Sequence, residues 1–262
     1  MNSMNQDGVL TDTQDRILTI SIDRPPVNAL DEAVLRRLVA VFEQEASQDT
    51  VGAVVITGAW RCFVAGADIR SFADHDAEGG AHPSLRLAND LFNLIEVFPK
   101  VIVAASNGAC LGGGTELALA CDFRVASTEA QFGQPEITLG LVPGWGGMQR
   151  LPRLIGRGRA LDLLLTGRTV SAHEAWSMGL VSEVVMTDQL PTRARDFARR
   201  FAALPPLAVA AIKERVVRGT AENQGQAIRD DEWTFNDLLM TEDAREGLNA
   251  FLHKREPSWK GR

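Results

Sequence analysis

The stretch Lys100–Asp122, KVIVAASNGACLGGGTELALACD, joins a β-branched apolar run, a glycine-rich turn and a second apolar segment. The run Lys100–Ser106 predicts a strand that is buried on both faces, as strands of parallel sheets are. The apolar segment Glu116–Cys121 follows the glycines and predicts a helix that begins at the turn. A buried strand that leads into a helix indicates an α/β protein with mainly parallel strands.

The residues before this stretch repeat the alternation of strand and helix. Arg16–Ile22 alternates apolar and polar residues, which predicts a half-buried strand. Val51–Thr57 predicts a strand buried on both faces, and Leu85–Val97 predicts a helix. Between the two strands Asp31 can cap a helix at its N-terminus. The apolar face of that helix comprises Val34, Leu38, Val41 and Phe42.

The residues after it change from alternation to helix. Phe123–Ala126 predicts a third buried strand, and Ser171 with Glu174 has the spacing of a capping box for a helix that Gly179 can close. From Asp188 to Lys254 the periodicity is helical. Pro205-Pro206 is the best candidate for a boundary. The predicted organisation is therefore an α/β core at 1–204 and a helical region at 205–262.

Composition excludes several classes of function. The 262 residues include 45% hydrophobic and 23% charged residues, which is typical of a globular protein. The net charge of −7 argues against nucleic acid and anionic membranes as partners. No apolar run is long enough to cross a bilayer and no targeting segment is recognisable, so a cytoplasmic location is expected. Three cysteines without framework spacing fit a reducing compartment.

The motifs of common cofactor sites are missing. The chain has neither a phosphate-binding P-loop nor a nucleophile elbow, and its glycine run lacks the spacing of a dinucleotide fingerprint. No two of the four histidines have the spacing of a helical metal site. We therefore expect no metal and no separate cofactor. Asp74–Pro83 is polar and glycine-rich, and it predicts a mobile loop that could cover a ligand.

Two turns and two glutamates suggest a site. Small residues in Phe63–Ile69 would let a ligand approach the main chain, and Gly112–Gly114 at a helix start would direct N–H groups at an anion or a developing oxyanion. Glu116 and Glu136 are acids in apolar surroundings. Each feature alone also fits an ordinary turn or a surface charge. Together they indicate paired carboxylates around a carbonyl substrate.

Several blocks resemble one family. VAGADI at 64–69, NGACLGGGTELALACD at 107–122 and FGQPEITLGLVPGWGGMQRLPRLIG at 132–156 are similar to motifs of the enoyl-CoA hydratase (crotonase) superfamily. The likeness extends from NAL at 28–30 to EGLNAFLHKREPSW at 246–259. It implies a crotonase-like spiral of ββα units with a helical C-terminal trimerisation region.

The resemblance also implies roles for particular residues. The N–H groups of Ala67 and Gly113 would form the oxyanion hole, Glu116 and Glu136 would be catalytic, and Gly144 would help to place water. Trp145 stands where many short-chain hydratases have a small residue, which leaves the acyl-chain preference open. The residues implied in binding the substrate and its CoA are Ala65, Ala67, Asp68, Ile69, Arg70, Gly113, Phe251 and Lys254.

The function that this implies is hydration of 2-trans-enoyl-CoA thioesters by a homotrimer or a dimer of trimers. The nearest alternative is Δ3-Δ2-enoyl-CoA isomerisation, and another is a non-catalytic superfamily member that binds acyl-CoA or RNA. The pair of glutamates argues against a non-catalytic role, and the net charge argues against RNA. One local basic cluster is interpreted as solvated or subunit-facing surface. It comprises Arg150, Arg153, Arg157, Arg159 and Arg168.

Overall fold

Two β-sheets form the centre of the molecule in the computed structural model, which describes residues 7–73 and 82–262. The larger sheet has six strands: β1 (Val9–Gln14), β2 (Ile17–Ile22), β3 (Ala53–Gly58), β5 (Val101–Ser106), β7 (Phe123–Ser127) and β10 (Glu183–Val185), in the order β1-β2-β3-β5-β7-β10. The smaller sheet has four: β4 (Cys62–Val64), β6 (Ala109–Leu111), β8 (Gln131–Gly133) and β9 (Thr169–Ser171), in the order β4-β6-β8-β9.

The pairing of the larger sheet is mainly parallel, as the sequence predicts. Strands β2, β3, β5, β7 and β10 run parallel to one another. Every side chain of β5 is buried, and so are five of the six in β3. Strand β1 was not predicted, and it adds an antiparallel edge through pairs from Val9↔Ile22 to Gln14↔Ile17. Its last three residues are polar and exposed, so it carries little apolar signal.

The described residues form eleven α-helices, several of which pack on the two faces of the larger sheet. They are α1 (Glu32–Val41), which continues into a π-helix (Phe42–Ala46), α2 (Ile69–Ala73), α3 (Pro83–Val97), α4 (Gly113–Ala120), α5 (Gly147–Ile155), α6 (Arg157–Thr166), α7 (Ala172–Met178), α8 (Leu190–Ala202), α9 (Pro206–Gly219), α10 (Gln224–Leu239) and α11 (Glu242–Leu252). A 3-10 helix occupies Pro135–Leu139. Helix α8 packs on one face, and α1, α3 and α4 contribute to the core on the other.

The predicted helix caps are present, with one difference. Asp31 Oδ1 accepts a hydrogen bond from the N–H of Val34 at 2.9 Å and begins α1. Ser171 Oγ likewise accepts from the N–H of Glu174, and Gly179 ends α7 in the left-handed conformation. The Glu174 carboxylate pairs with Arg168 instead of completing the capping box. A nearby guanidinium is the stronger partner for a carboxylate because the bond is charge-assisted.

A repeated unit accounts for the second sheet. In each unit a strand of the larger sheet is followed by a short strand of the smaller sheet and then by helix: β3–β4–α2, β5–β6–α4, and β7–β8 followed by the 3-10 helix. Strands β4, β6 and β8 lie side by side in parallel. This succession confirms the predicted spiral of ββα units with C-terminal helices.

The helical region at the C-terminus is joined to the core by a buried ion pair. Lys213 on α9 donates to Asp122 Oδ2 at 2.8 Å and to the carbonyl of Lys100 at 2.9 Å. Helix α9 begins at Pro206, close to the predicted boundary, but the division at 204/205 stays a prediction. Residues 74–81 of the predicted loop Asp74–Pro83 lie outside the described residues. In the part of the chain that is described, no helix is long and apolar enough to cross a membrane.

Candidate active site

Three segments of the site begin where strands of the smaller sheet end. Ala65–Ala67 follows β4, Gly112–Gly113 follows β6, and Gln134–Glu136 follows β8. Because these three strands are parallel neighbours, their carboxyl ends lie at one edge of the sheet. The main chain ties the second segment to the third through Gly112 N–H and the carbonyl of Gly133 at 2.9 Å. The sheet therefore brings together residues that are far apart in the sequence.

The two predicted oxyanion donors lie next to each other. A bridge between Leu30 and Ala67 uses the carbonyl of Gly66 and the N–H of Asp68, so the N–H of Ala67 points away from Leu30. Gly113 is the first residue of α4, and its N–H has no intrahelical acceptor. A Cβ atom at Gly113 would lie 3.4 Å from Ala67 N. Two N–H groups are thus available at one place, beside the positive end of a helix dipole.

Close packing explains why residues 112 and 113 are glycines. Gly112 has a φ of +50°, and a Cβ there would lie 2.9 Å from Glu136 Oε1. A Cβ at Gly113 would lie only 2.3 Å from Cζ3 of Trp145. The indole is 2% exposed and packs edge-on against Phe92, with ring centroids 5.9 Å apart. These contacts place the Glu136 carboxylate and the Trp145 ring on either side of the Gly112–Gly113 turn.

Glu116 is a buried carboxyl group with well-defined donors. It is 2% exposed, and its Oε1 accepts hydrogen bonds from the N–H groups of Trp145 and Gly147, both at 2.8 Å. Burial above all, with the charge of Glu136, raises the pKa of this carboxyl to about 7, although the two N–H donors oppose the shift. A group with this pKa can accept and return a proton near neutral pH.

Glu136 lies at the start of the 3-10 helix, where Gln134 binds its side chain. The surrounding donors and acceptors assign the orientation of the Gln134 amide: with its nitrogen toward Glu136, it donates to Oε1 at 3.0 Å and to Oε2 at 3.2 Å. Gln134 is itself 1% exposed. Partial burial raises the pKa of the Glu136 carboxyl above its ordinary value, against a backbone hydrogen bond that lowers it. The site therefore holds two carboxyl groups whose pKa values are both raised by burial.

The loop before α5 holds Gly144 near the two carboxyls. Asn89 on α3 donates to the carbonyl of Gly144 at 3.0 Å. Within residues 7–73 and 82–262 the N–H of Gly144 has no protein acceptor. A Cβ at this position would lie 2.8 Å from Leu85 Cδ2, so the loop packs closely on α3. The predicted water-placing N–H is thus available in the loop that also supplies Trp145 N–H to Glu116.

The predicted CoA segment divides into an anchored part and an exposed part. Arg24 Nη2 donates to Asp68 Oδ2 at 2.7 Å and so joins this segment to the N-terminus of α1, where Asp31 is its other partner. The hydrogen bond from Arg24 lowers the pKa of the Asp68 carboxyl. Ile69 and Arg70 follow and are exposed. An exposed apolar residue beside a cation is a suitable surface for a nucleotide with phosphates.

Phe251 and Lys254 lie away from this surface in the single chain. Helix α11 packs mainly against α10 and against the C-terminal tail, where the N–H of Glu242 donates to the carbonyl of Arg262 at 2.8 Å. Phe251 is 81% exposed. The CoA contacts expected of Phe251 and Lys254 stay a prediction that requires a neighbouring copy.

Two polar residues of the site were missed or misread from the sequence. Gln134 was not singled out, although an amide two residues before a candidate acid was a possible signal. Arg150 was placed in a surface cluster, and this interpretation is wrong: it is 8% exposed and pairs with Glu96 at 2.9 Å. Spacing along a helix cannot reveal such burial because the covering residues come from another part of the chain. Arg153, Arg157 and Arg159 are exposed, as expected.

The arrangement suits acid–base chemistry at a carbonyl compound. Two N–H groups can stabilise negative charge on a carbonyl oxygen, while two carboxyls with raised pKa values can exchange protons with nearby atoms. Among residues 7–73 and 82–262, no group of three or more potential ligands could hold a metal ion.

Comparisons with known proteins identify the family. Residues 12–262 match the model of the family "Enoyl-CoA hydratase/isomerase". A probable enoyl-CoA hydratase of Rhizobium meliloti is 40% identical over 99% of this chain and 100% of its own length. A short-chain-enoyl-CoA hydratase of Clostridium acetobutylicum is 36% identical over 97% of both chains. The crystal structure of enoyl-CoA hydratase from Bacillus anthracis has a TM-score of 0.92 at 38% identity and covers 97% of this chain and 100% of its own. This chain therefore belongs to the enoyl-CoA hydratase/isomerase family.

Proposed function

We propose that the protein is an enoyl-CoA hydratase, which adds water reversibly across the 2,3 double bond of a 2-trans-enoyl-CoA thioester. The observation that carries this proposal is the pair of carboxyls, Glu116 and Glu136, beside the two available N–H groups of Ala67 and Gly113. Hydration needs both a placed water and a proton donor, whereas isomerisation needs only one mobile proton carrier. Two carboxyls therefore favour hydration.

The oxyanion hole lowers the barrier of the first step. As the oxygen of water forms a bond to C3, the electrons of the C2=C3 bond move toward the thioester oxygen, which becomes negative. The N–H groups of Ala67 and Gly113 stabilise that charge, and loss of one such donor costs roughly 3–4 kcal/mol in other enzymes. The attacking water gives one proton to a carboxylate, and C2 takes up one proton from the other carboxyl. The product has therefore gained one water as OH on C3 and H on C2, and the two glutamates together keep one proton.

The two glutamates divide the proton transfers. Two carboxylates ~4–5 Å apart repel by ~3–4 kcal/mol at an effective dielectric near 20, which favours one shared proton at neutral pH. The charge of Glu136 is one of the causes that raise the pKa of Glu116, which supports this state. In our assignment Glu116 positions and activates water with the help of Gly144, and Glu136 exchanges the proton with C2.

Substitution of Glu136 tests the proposal. Glu136→Gln should lower kcat for crotonyl-CoA by at least ~10²-fold, the lower range for loss of general acid–base catalysis, and should change KM much less. Glu129→Gln is the matched control, because Glu129 is an exposed glutamate in the turn between β7 and β8. Near-normal hydration by Glu136→Gln would overturn the assignment.

The isomerase alternative is separated from hydration by Glu116→Ala. This variant should lose most hydration of crotonyl-CoA but keep any 3-enoyl-CoA isomerase activity within ~10-fold, since the main-chain oxyanion hole stays in place. The measurement is the ratio of the two activities in wild type and variant. An equal fall in both would mean that Glu116 also transfers protons in isomerisation or holds the Gly113 turn.

The substrate is an acyl-CoA thioester, and no metal or other cofactor is required by the mechanism. Ala65, Ala67, Asp68, Ile69, Arg70 and Gly113 are assigned to substrate and CoA binding. The relative from Clostridium acetobutylicum is a short-chain-enoyl-CoA hydratase, which supports a short acyl chain for this protein as well. The cytoplasmic location expected from the sequence stays a prediction.

The proposed assembly is a homotrimer or a dimer of trimers. Exposed apolar side chains on the C-terminal helices support it: Trp233, Phe235, Met240, Leu248, Phe251 and Leu252. Phe251→Ser with Leu252→Ser should lower the mass measured by light scattering toward that of one chain and weaken CoA binding. Asn249→Ser, an exposed polar position on the same helix, is the control. An unchanged mass in the double variant would contradict this interface.

A further inference from the structure

We propose that Arg150 is a positioning residue for Glu116: it holds the Trp145–Gly147 loop so that two N–H groups meet this carboxylate, and it places a positive charge beside that loop. The inference rests on the proposed function, because it concerns the carboxyl assigned to water. Nothing in the linear sequence indicated this role, since Arg150 stands in a run of arginines that is otherwise exposed.

The first argument is a short chain of contacts. Nη1 of Arg150 donates to the carbonyl of Trp145 at 3.1 Å, and the backbone N–H of Trp145 donates to Glu116 Oε1 at 2.8 Å. The guanidinium also lies against Gly146, where a Cβ would be 2.2 Å from Nη1. A side chain at residue 146 would displace it. The guanidinium therefore packs against the same loop whose N–H groups bind Glu116.

The second argument is that the guanidinium is itself fixed. Nε and Nη2 donate to Glu96 Oε2 at 3.1 and 2.9 Å, and Nη2 also donates to Asn93 Oδ1 at 2.7 Å. Both partners lie on α3, while Arg150 lies on α5. Only the planar fork of arginine can serve Trp145, Glu96 and Asn93 at once, and a lysine ammonium cannot reproduce that geometry.

The third argument is electrostatic. Burial has the largest effect on the pKa of Glu116 and raises it; the charge of Glu136 also raises this pKa, whereas the charge of Arg150 lowers it. The N–H donors of Trp145 and Gly147 favour the ionised form, as Arg150 does, whereas burial disfavours it. Glu96 offsets part of the arginine charge. Loss of Arg150 should therefore raise the pKa of Glu116 further and leave fewer molecules with an ionised carboxylate at neutral pH.

The test compares Arg150→Met, Arg150→Lys and the control Arg153→Met, which removes the same charge from an exposed position on α5. Two quantities are measured: the acid limb of kcat/KM for crotonyl-CoA against pH, and the titration of Glu116 by NMR with 13C-labelled glutamate, assigned through Glu116→Gln. The acid limb reports ionisation in the free enzyme.

Arg150→Met should move both the acid limb and the titration midpoint upward by roughly half a unit to one unit. Arg150→Lys keeps the charge, so its midpoint should stay within about 0.3 unit of wild type, while loss of the fork should lower kcat several-fold at nearly constant KM. Arg153→Met should match wild type in both measurements.

A titration midpoint in Arg150→Met equal to that of wild type would overturn the electrostatic part. A kcat in Arg150→Lys equal to that of wild type would overturn the positioning part, and it stays decisive if Arg150→Met fails to fold. Failure of the proposed function is distinguishable, because wild type would then lack hydratase activity while the NMR comparison still reports on Arg150.

Discussion

The contact between Gly113 and Trp145 gives a sharp prediction for Gly113→Ala. The added Cβ would meet Cζ3 at 2.3 Å and Cε3 at 2.6 Å, whereas carbon atoms in contact are at least ~3.5 Å apart. The ring, α4 or both must move by about 1 Å. The ring is 2% exposed and packed on Phe92, so it has no free space to enter.

The magnitude follows from the cost of overpacking and of misplacement. Insertion of a methyl group into a packed core typically costs 1–3 kcal/mol, and alanine at a helix position returns up to about 1 kcal/mol. We expect a net loss of ~1–2 kcal/mol in the free energy of unfolding. A shift of about 1 Å in the Gly113 N–H should lower kcat by up to ~10².

The assay is a double-mutant cycle with Trp145→Leu, which removes both clashing ring atoms. Urea unfolding and hydration kinetics are measured for the two single variants and the double variant. The coupling free energy should be favourable by at least ~1 kcal/mol. Gly158→Ala is the control, because that glycine is in the first turn of α6 with no atom within 4 Å of an added Cβ. A Gly113→Ala protein with wild-type stability and kcat would refute the reasoning.

Three other substitutions test stability. The folded-state pKa of Glu116 is raised from 4.5 to about 7, so the folded state binds more protons and stability falls as pH rises through that window. The free energy of unfolding of Glu116→Gln, measured in urea and relative to wild type, should therefore rise by up to ~3 kcal/mol from pH 4 to pH 8. A difference between the two proteins that does not change with pH would contradict this. Asp31→Ala removes the acceptor for the N–H of Val34 and should lower the free energy of unfolding by ~1 kcal/mol. An unchanged free energy of unfolding would mean that this cap contributes nothing to stability. Lys213→Met leaves Asp122 without its ion-pair partner and should lower the free energy of unfolding by ~3–5 kcal/mol. The double variant Lys213→Met with Asp122→Asn should lose much less, and an equal loss in the single and the double variant would argue against the ion pair.

Several elements were predictable because their signals are local. The β-branched run in β5 and the alternation in β2 match the observed strands, and the cap at Asp31 depends on residues three positions apart. The glutamates and glycines of the site were found because a few types of side chain suit this chemistry, and the resemblance indicated which of them act together.

The smaller sheet could not be predicted from pattern. Strands β4, β6 and β8 have three residues each, which is too short for a periodicity to appear, and the first two were interpreted as turns. Their pairing joins residues from 62 to 133, which are far apart along the chain, so no local pattern reveals it. The convergence of Ala67, Gly113 and Glu136 depends on this sheet.

The burial of polar side chains also depended on tertiary structure. Arg150 looks like its exposed neighbours in sequence, yet α3 covers it and supplies Glu96 and Asn93. Gln134 is likewise buried by residues that are distant in the sequence, and its amide faces Glu136. The sequence by itself determined the residue types, the strong strands and the capped helices, because these depend on neighbours along the chain. The tertiary structure decided which polar groups leave water and how the two glutamates titrate, because desolvation depends on the elements that pack around a side chain.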